Sequence, residues 1–229
     1  MDLFVTGNDT EVGKSVVTAC LAQAARADGR HVVAAKPVAS GVPEGEAGED
    51  ASLLADAAGH PPLVAQTFRT PVSPHRAARL EGRPVEVERL EAWVRGLRGD
   101  PVLVEGVGGW KVPVSDSPWV WVADLARWHG APVVVVAADR LGCLNHTLLT
   151  VDAVQRDGLK VVTVALVAGA PDPEDVSTST NLEDLREMLN IPVVSVPRID
   201  VDDPEQRERV GRCLWETILA RTAEEEGGQ

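Results

Sequence analysis

The stretch Gly7 to Ser15, GNDTEVGKS, carries the residue types best suited to chemistry in this chain. Gly7, Gly13, Lys14 and Ser15 are the components of a phosphate-binding loop. Glycines let backbone amides converge on an anion, a lysine reaches the β- and γ-phosphates of a nucleotide, and a hydroxyl meets Mg2+. Here five residues, Asn8 to Val12, separate the glycines where four are usual, and two of them, Asp9 and Glu11, are acidic. Acids are tolerable beside phosphate if their amides point inward and their carboxylates outward, towards an amine substrate or a partner subunit; hydrogen bonding within the loop is the alternative. The loop residues Asn8, Asp9, Thr10, Glu11, Val12, Gly13, Lys14, Ser15 and Val16 are the expected nucleotide contacts.

Three more positions suit phosphoryl chemistry. EGVGGW (105–110) follows an apolar run, so Glu105 is expected at the carboxyl end of a strand, where open α/β sheets place ligands. Glu105 could hold a metal opposite Ser15, or merely cap a helix. Gly106, Gly108 and Gly109 admit a ligand close to backbone or form a turn. KPVASG (36–41) ends another apolar run with Lys36, either an active cation or a solvated strand end. Asp50 opens a helical stretch as a metal ligand or an N-cap. Cys20, Cys143 and Cys213 have no metal-ligand spacing and read as reduced core or surface thiols.

These side chains need elements to position them. Strands are expected at 2–7, 31–38, 100–106, 131–139, 159–169 and 191–197, several as unbroken valine runs of the kind that parallel strands need when both faces are covered. Helices are expected at 14–29, with Gly29 at the C-cap, and at 50–58, 86–98, 120–129, 143–157, 180–189 and 204–222. This alternation predicts an α/β fold of the P-loop NTPase type: a mainly parallel central sheet covered by helices on both faces. Residues 1–222 read as one domain, 41–48 as a mobile surface loop and 223–229 as a frayed tail. Net charge is −13, which disfavours nucleic acid and anionic membrane and requires local positive potential for any anionic ligand. No run approaches the ~20 apolar residues of a membrane span and no basic leader precedes the first strand. A cytoplasmic enzyme is the expectation.

TGNDTEVGKS, KPVASG, SPH (73–75), EGVGGW and LGCLNH (141–146) occur in the order and spacing of dethiobiotin synthetase, and over residues 2 to about 150 the chain resembles that family. The likeness is weaker after 160. The family's loop has the same five-residue spacing. The resemblance implies an ATP- and Mg2+-dependent ligase that closes a ureido ring on 7,8-diaminononanoate with CO2, through a carbamate and a carbamic-phosphoric anhydride, giving dethiobiotin, ADP and phosphate. It implies Ser15, Asp50 and Glu105 around Mg2+, Lys14 and Lys36 as catalytic cations, and Thr10 and Ser40 as hydrogen-bond donors to the carbamate or the moving phosphoryl group. It places the substrate's distal carboxylate on Gly142, Cys143, Leu144 and Asn145 across a homodimer interface, with Cys143 a contact and not a nucleophile. His75 is expected as a structural turn residue.

The sequence departs from the family after the fifth expected strand, where some members read adenine with an Asn. Gly169 or Ala170 fills that place, which implies weak base discrimination. Val196, Pro197 and Arg198 keep the family's border to the base. The rivals are a cobyrinic acid amidating enzyme, which needs an added glutaminase domain that 229 residues do not hold; a nucleotide-switched partitioning or scaffold ATPase, which often carries an extra lysine at the start of the loop; and a non-catalytic nucleotide-binding module.

Overall fold

In chain order the elements are β1 (Leu3–Gly7), α1 (Lys14–Ala27), β2 (Val33–Ser40), α2 (Glu49–Ala58), β3 (Val64–Phe68), α3 (Pro74–Glu81), α4 (Val87–Gly96), β4 (Val102–Gly109), β5 (Pro113–Asp116), β6 (Trp119–Trp121), α5 (Val122–His129), β7 (Val133–Asp139), α6 (Cys143–Arg156), β8 (Val161–Ala168), α7 (Asn181–Met188), β9 (Val193–Val196) and α8 (Pro204–Gly227). They are taken from a computed structural model describing residues 1–170, 172 and 174–227, the side chains of 224–227 excepted.

Seven strands form one sheet in the order β3-β2-β4-β1-β7-β8-β9, and every pairing between them is parallel. Alternation along each strand feeds two cores. Leu3 and Val5 of β1 and Val134 and Val136 of β7 face a layer containing Val17 and Leu21 of α1, Leu54 of α2 and Leu214 and Ile218 of α8. Phe4, Val133 and Val135 face the other way, towards Leu90 of α4, Leu125 of α5, Val151 and Val154 of α6 and Leu185 of α7. Helices on both faces explain why the valine runs need no polar alternation.

All seven carboxyl ends lie on one edge of the sheet. That edge presents Gly7, Ser40, Gly109, Asp139, Ala168 and Val196, which is where an open α/β sheet binds ligands.

Six strands and seven helices stand where the sequence places them, with small shifts. β4 runs on to Gly109, so Gly108 lies within the strand and Glu105 stands four residues before its end. Helix α2 is capped by Gly48, so Asp50 is its second residue and does not cap it. Trp119–Trp121 form a strand before α5 begins. Edge strand β3 and helix α3 are additions. His75 is therefore in the first turn of α3, not in a turn; its Nδ1 meets Ser73 Oγ at 3.0 Å. Helix α8 extends to Gly227, and the last two residues of the expected tail lie outside the described residues.

Candidate active site

β1 ends at Gly7, where a Cβ would sit 2.6 Å from the Asp9 carbonyl oxygen and 2.8 Å from Val12 Cγ2. Only glycine allows the chain to fold back so tightly. Gly13 then caps α1 at φ 92° with no side-chain cap, leaving the amides of the first turn and the positive end of the helix dipole for an anion. Lys14 is 6% exposed, and its ammonium donates to the Asp9 carbonyl at 3.1 Å. The lysine thus lies folded over its own loop, on an acceptor that a phosphate oxygen can replace.

The two loop acids differ. Glu11 is exposed and holds φ 57°, the one left-handed non-glycine among the described residues. Asp9 is exposed and also bonds within and beyond the loop: its Oδ1 accepts the Thr10 amide at 2.8 Å and its Oδ2 pairs with Arg140 Nη2 at 3.0 Å. Asn8 Nδ2 donates to Thr147 Oγ1 at 3.1 Å, tying the loop to α6.

Beside the loop, β2 and β4 bring Lys36 and Glu105 together. Lys36 is 3% exposed and Glu105 0%. Lys36 Nζ lies 2.6 Å from Glu105 Oε1 and also pairs with Asp50 Oδ2. Ser15 Oγ lies 2.8 Å from Asp50 Oδ1 and 2.9 Å from Glu105 Oε1. Four side chains that stand at residues 15, 36, 50 and 105 thus close on one point.

Burial alone would lower the Lys36 ammonium, but Glu105 and Asp50 outweigh it and raise it above its ordinary value. Burial likewise works against the Asp50 carboxylate, and Lys36 and Ser15 outweigh it, so that Asp50 titrates low. Lys14 goes the other way: burial lowers it, and the repulsion of Lys36 adds to that against the pull of Glu105.

The cluster has acceptors to spare. A serine hydroxyl has one proton and cannot serve two carboxylates at once. Glu105 Oε2 is buried with no hydrogen-bond partner. A hard cation on Ser15, Asp50 and Glu105 would satisfy both. One hydroxyl and two carboxylates are a donor set that suits Mg2+, which keeps waters and takes phosphate oxygens beside one or two carboxylates.

Around this centre, Gly108 stands with its Cβ position 3.5 Å from Thr10 Oγ1, and Ser40 ends β2. On the far side Val167 packs over Gly13, and Val167 pairs with Val196. Val196 is buried while Gly169, Pro197 and Arg198 are exposed beyond the strand ends, so no side chain of Gly169 reads a base there. Val12 is buried and Val16 half-buried behind the loop.

Gly142 caps α6, but one of the three amides expected to hold a carboxylate is taken: Cys143 N donates to the Arg140 carbonyl at 3.1 Å. Leu144 and Asn145 head the helix. Burial raises the Cys143 thiol above its ordinary value, which suits a packed residue and not a nucleophile. β4 and β1 lie between β2 and β7, which puts the β2 and β7 strands three spacings apart, roughly 14 Å.

Arg140 and Thr147 were not legible as site residues. A cation directly after the end of a valine-rich strand was the available signal for Arg140.

An AAA domain family model matches residues 1–206. The ATP-dependent dethiobiotin synthetase BioD of Aromatoleum aromaticum is 42% identical over 214 residues, covering 89% of this chain and 93% of that relative. BioD 1 of Escherichia coli is 38% identical over 214 residues, covering 88% and 92%. Among solved structures, the septum site-determining protein MinD from Pyrococcus horikoshii, complexed with Mg-ADP, superposes with TM-score 0.51 at 17% identity over 92% of this chain and 86% of that one. The signal recognition particle receptor FtsY from Elizabethkingia anophelis gives TM-score 0.51 at 11% identity, and the chain spans 64% of its length. These two share the fold. Identity of 38–42% over nearly the whole length is a closer relation: the chain belongs to the ATP-dependent dethiobiotin synthetase family.

Proposed function

We propose that this protein uses ATP and Mg2+ to join 7,8-diaminononanoate and CO2 into dethiobiotin, with release of ADP and phosphate. The observation that carries the reading is the convergence of Lys36, Glu105, Asp50 and Ser15 beside the phosphate loop, two strands and two helices contributing to one point. A nucleotide-binding module has no need of a buried second lysine there.

One substrate amine adds to CO2 and loses a proton, giving a carbamate. A carbamate oxygen attacks the γ-phosphorus of ATP, ADP leaves, and the carbamic-phosphoric anhydride remains. The second amine attacks its carbonyl carbon, phosphate departs, a proton is lost and the ring is closed. The difficulty lies in bringing an anionic carbamate to an anionic triphosphate. Lys36, held charged by its two carboxylates, and Lys14, released from the Asp9 carbonyl, screen that approach and stabilise charge on the moving phosphoryl group. Ser15, Asp50 and Glu105 would hold Mg2+, which when bound would supply positive charge against the phosphates. Thr10 and Ser40 supply hydroxyl donors on either side. Asn8, Asp9, Glu11 and Gly13 contribute loop backbone, and Gly169, Val196, Pro197 and Arg198 border the base with weak discrimination.

The family relation supports a homodimer in which Gly142, Leu144 and Asn145 of one protomer receive the carboxylate of a substrate reacting in the other. The substrates are small molecules and the setting is cytoplasmic; among the described residues no helix is long and apolar enough to cross a membrane.

Incubation with diaminononanoate, bicarbonate, ATP and Mg2+ should yield a product heavier than the diamine by one carbonyl bridge. Phosphate release that ignores the diamine would instead mark a nucleotide-switched ATPase.

A further inference from the structure

We propose that Arg140 is a positioning residue for the phosphate loop, acting through Asp9, and that this pair lets an acid occupy a loop that receives a polyanion. The inference rests on the nucleotide-binding part of the reading above.

Asp9 is the hub of the loop. Its carbonyl receives Lys14 Nζ at 3.1 Å, its Oδ1 receives the Thr10 amide at 2.8 Å, and its Oδ2 lies 3.0 Å from Arg140 Nη2. The next residue but one, Glu11, sits at φ 57°, so the loop holds a conformation that an L side chain resists and that needs outside support. Arg140 can give that support because its own backbone is fixed. Its carbonyl accepts Cys143 N at 3.1 Å and Asn181 Nδ2 at 3.4 Å, and Asn181 also holds Asp139 Oδ1 at 2.8 Å. The neighbouring Leu141 amide donates to Asp175 Oδ2 at 2.9 Å. A second tether, Asn8 to Thr147, runs from the same loop to α6, the helix that follows the Arg140 turn.

The charges follow the same logic. An unpaired Asp9 carboxylate would repel a triphosphate seated on the adjacent amides. Pairing with Arg140 cancels that charge while leaving Oδ1 to hold the Thr10 amide. The guanidinium meets the Asp9 carboxylate from the turn before α6, while Lys14 lies on the Asp9 carbonyl instead.

The test measures binding of a non-hydrolysable ATP analogue with Mg2+ by calorimetry, and ATP steady-state kinetics alongside. Arg140→Ala should weaken the analogue about fivefold, the size expected for losing one exposed ion pair. It should raise KM for ATP by a like factor with kcat little changed, the signature of lost ground-state binding. Arg140→Lys should bind nearly as the parent does. Asp9→Asn removes the charge but keeps the acceptor, so in the Arg140→Ala background it should restore affinity to within about twofold, a coupling that independent sites do not show. Unchanged affinity in Arg140→Ala overturns the proposal. So does a double variant no tighter than Arg140→Ala, which would mean that Arg140 is scaffolding and not a charge partner. Analogue binding needs no diamine, so failure to form dethiobiotin would leave this result standing.

Discussion

At the scale of the residue, the site turns on Lys36. An ammonium 3% exposed is tolerable only because Glu105 and Asp50 face it. Removing one member of such a pair leaves a charge that water cannot reach, at a cost of about 3–5 kcal/mol. Lys36→Met should therefore lower the thermal midpoint clearly. Glu105→Gln in the same chain should recover much of the loss, because the carboxylate left buried beside residue 36 is then gone. Neither variant should turn over above ~1% of the parent rate, since deleting a charge-stabilising donor costs at least about 10²-fold. A stable Lys36→Met protein with normal turnover would refute this account of the pair.

Asp50 gives the pH dependence. Its carboxyl titrates below the ordinary 3.8, so its pairing with Lys36 and Ser15 contributes stability that is complete above that value and is lost as pH falls through the lower folded value. The stability difference between the parent and Asp50→Asn should be level from about pH 7 to 5 and shrink only below about pH 4. Lys36 works at the other end: raised above 10.5, its contribution is lost only in strong alkali. Melting curves at a series of pH values read both limits, and a difference that shrinks already near neutrality contradicts the assignment.

At the scale of the element, α1 must hold Lys14 and Ser15 at the head of β1, and α8 clamps it there. A Cβ on Gly211 of α8 would overlap the carbonyl oxygen of Cys20 in α1, so the two backbones meet directly. Gly211→Ala forces the helices apart. It should cost about 1–3 kcal/mol, the usual penalty of overpacking, and weaken ATP binding although residue 211 is remote from the nucleotide. Denaturant titration and calorimetry measure the two effects, and a variant that is destabilised yet binds ATP normally would uncouple α8 from the site.

The elements also show what sequence can carry. The phosphate loop was legible because its backbone path admits so few residue types at 7, 13, 14 and 15. The buried strands were legible because both faces are apolar. Strand β3, VAQTF, lies at the sheet edge with only Phe68 buried, so it shows no apolar run and went unread. Helix α3, PHRAARLE, buries only Pro74, Ala77 and Ala78, and its arginines hide the period. Lys36, Asp50 and Glu105 were each ambiguous alone; only folding brings them onto Ser15. Arg140 pairs with Asp9 from 131 residues away, and no local spacing announces such a contact.

At the scale of the whole molecule, the proposed dimer sets the head of α6 against a partner. Apolar side chains stand in water there: Leu141, in the turn before α6, is 80% exposed, and Leu149, within the helix, 60%. Leu149→Glu should shift the protein to a monomer in sedimentation or size-exclusion measurements. Activity should fall with it, because the carboxylate subsite comes from the partner. A fully active monomer would show that each chain completes its own site.

The central claim is that the Lys14, Lys36, Asp50 and Glu105 cluster moves a phosphoryl group onto a carbamate. If so, one oxygen of CO2 must leave with the phosphate. With 18O-labelled CO2, in a reaction too brief for exchange with water, mass spectrometry should find one labelled oxygen in phosphate and one in the ureido carbonyl for each ring closed. Unlabelled phosphate formed together with dethiobiotin would mean that water takes the phosphoryl group, and would contradict the account.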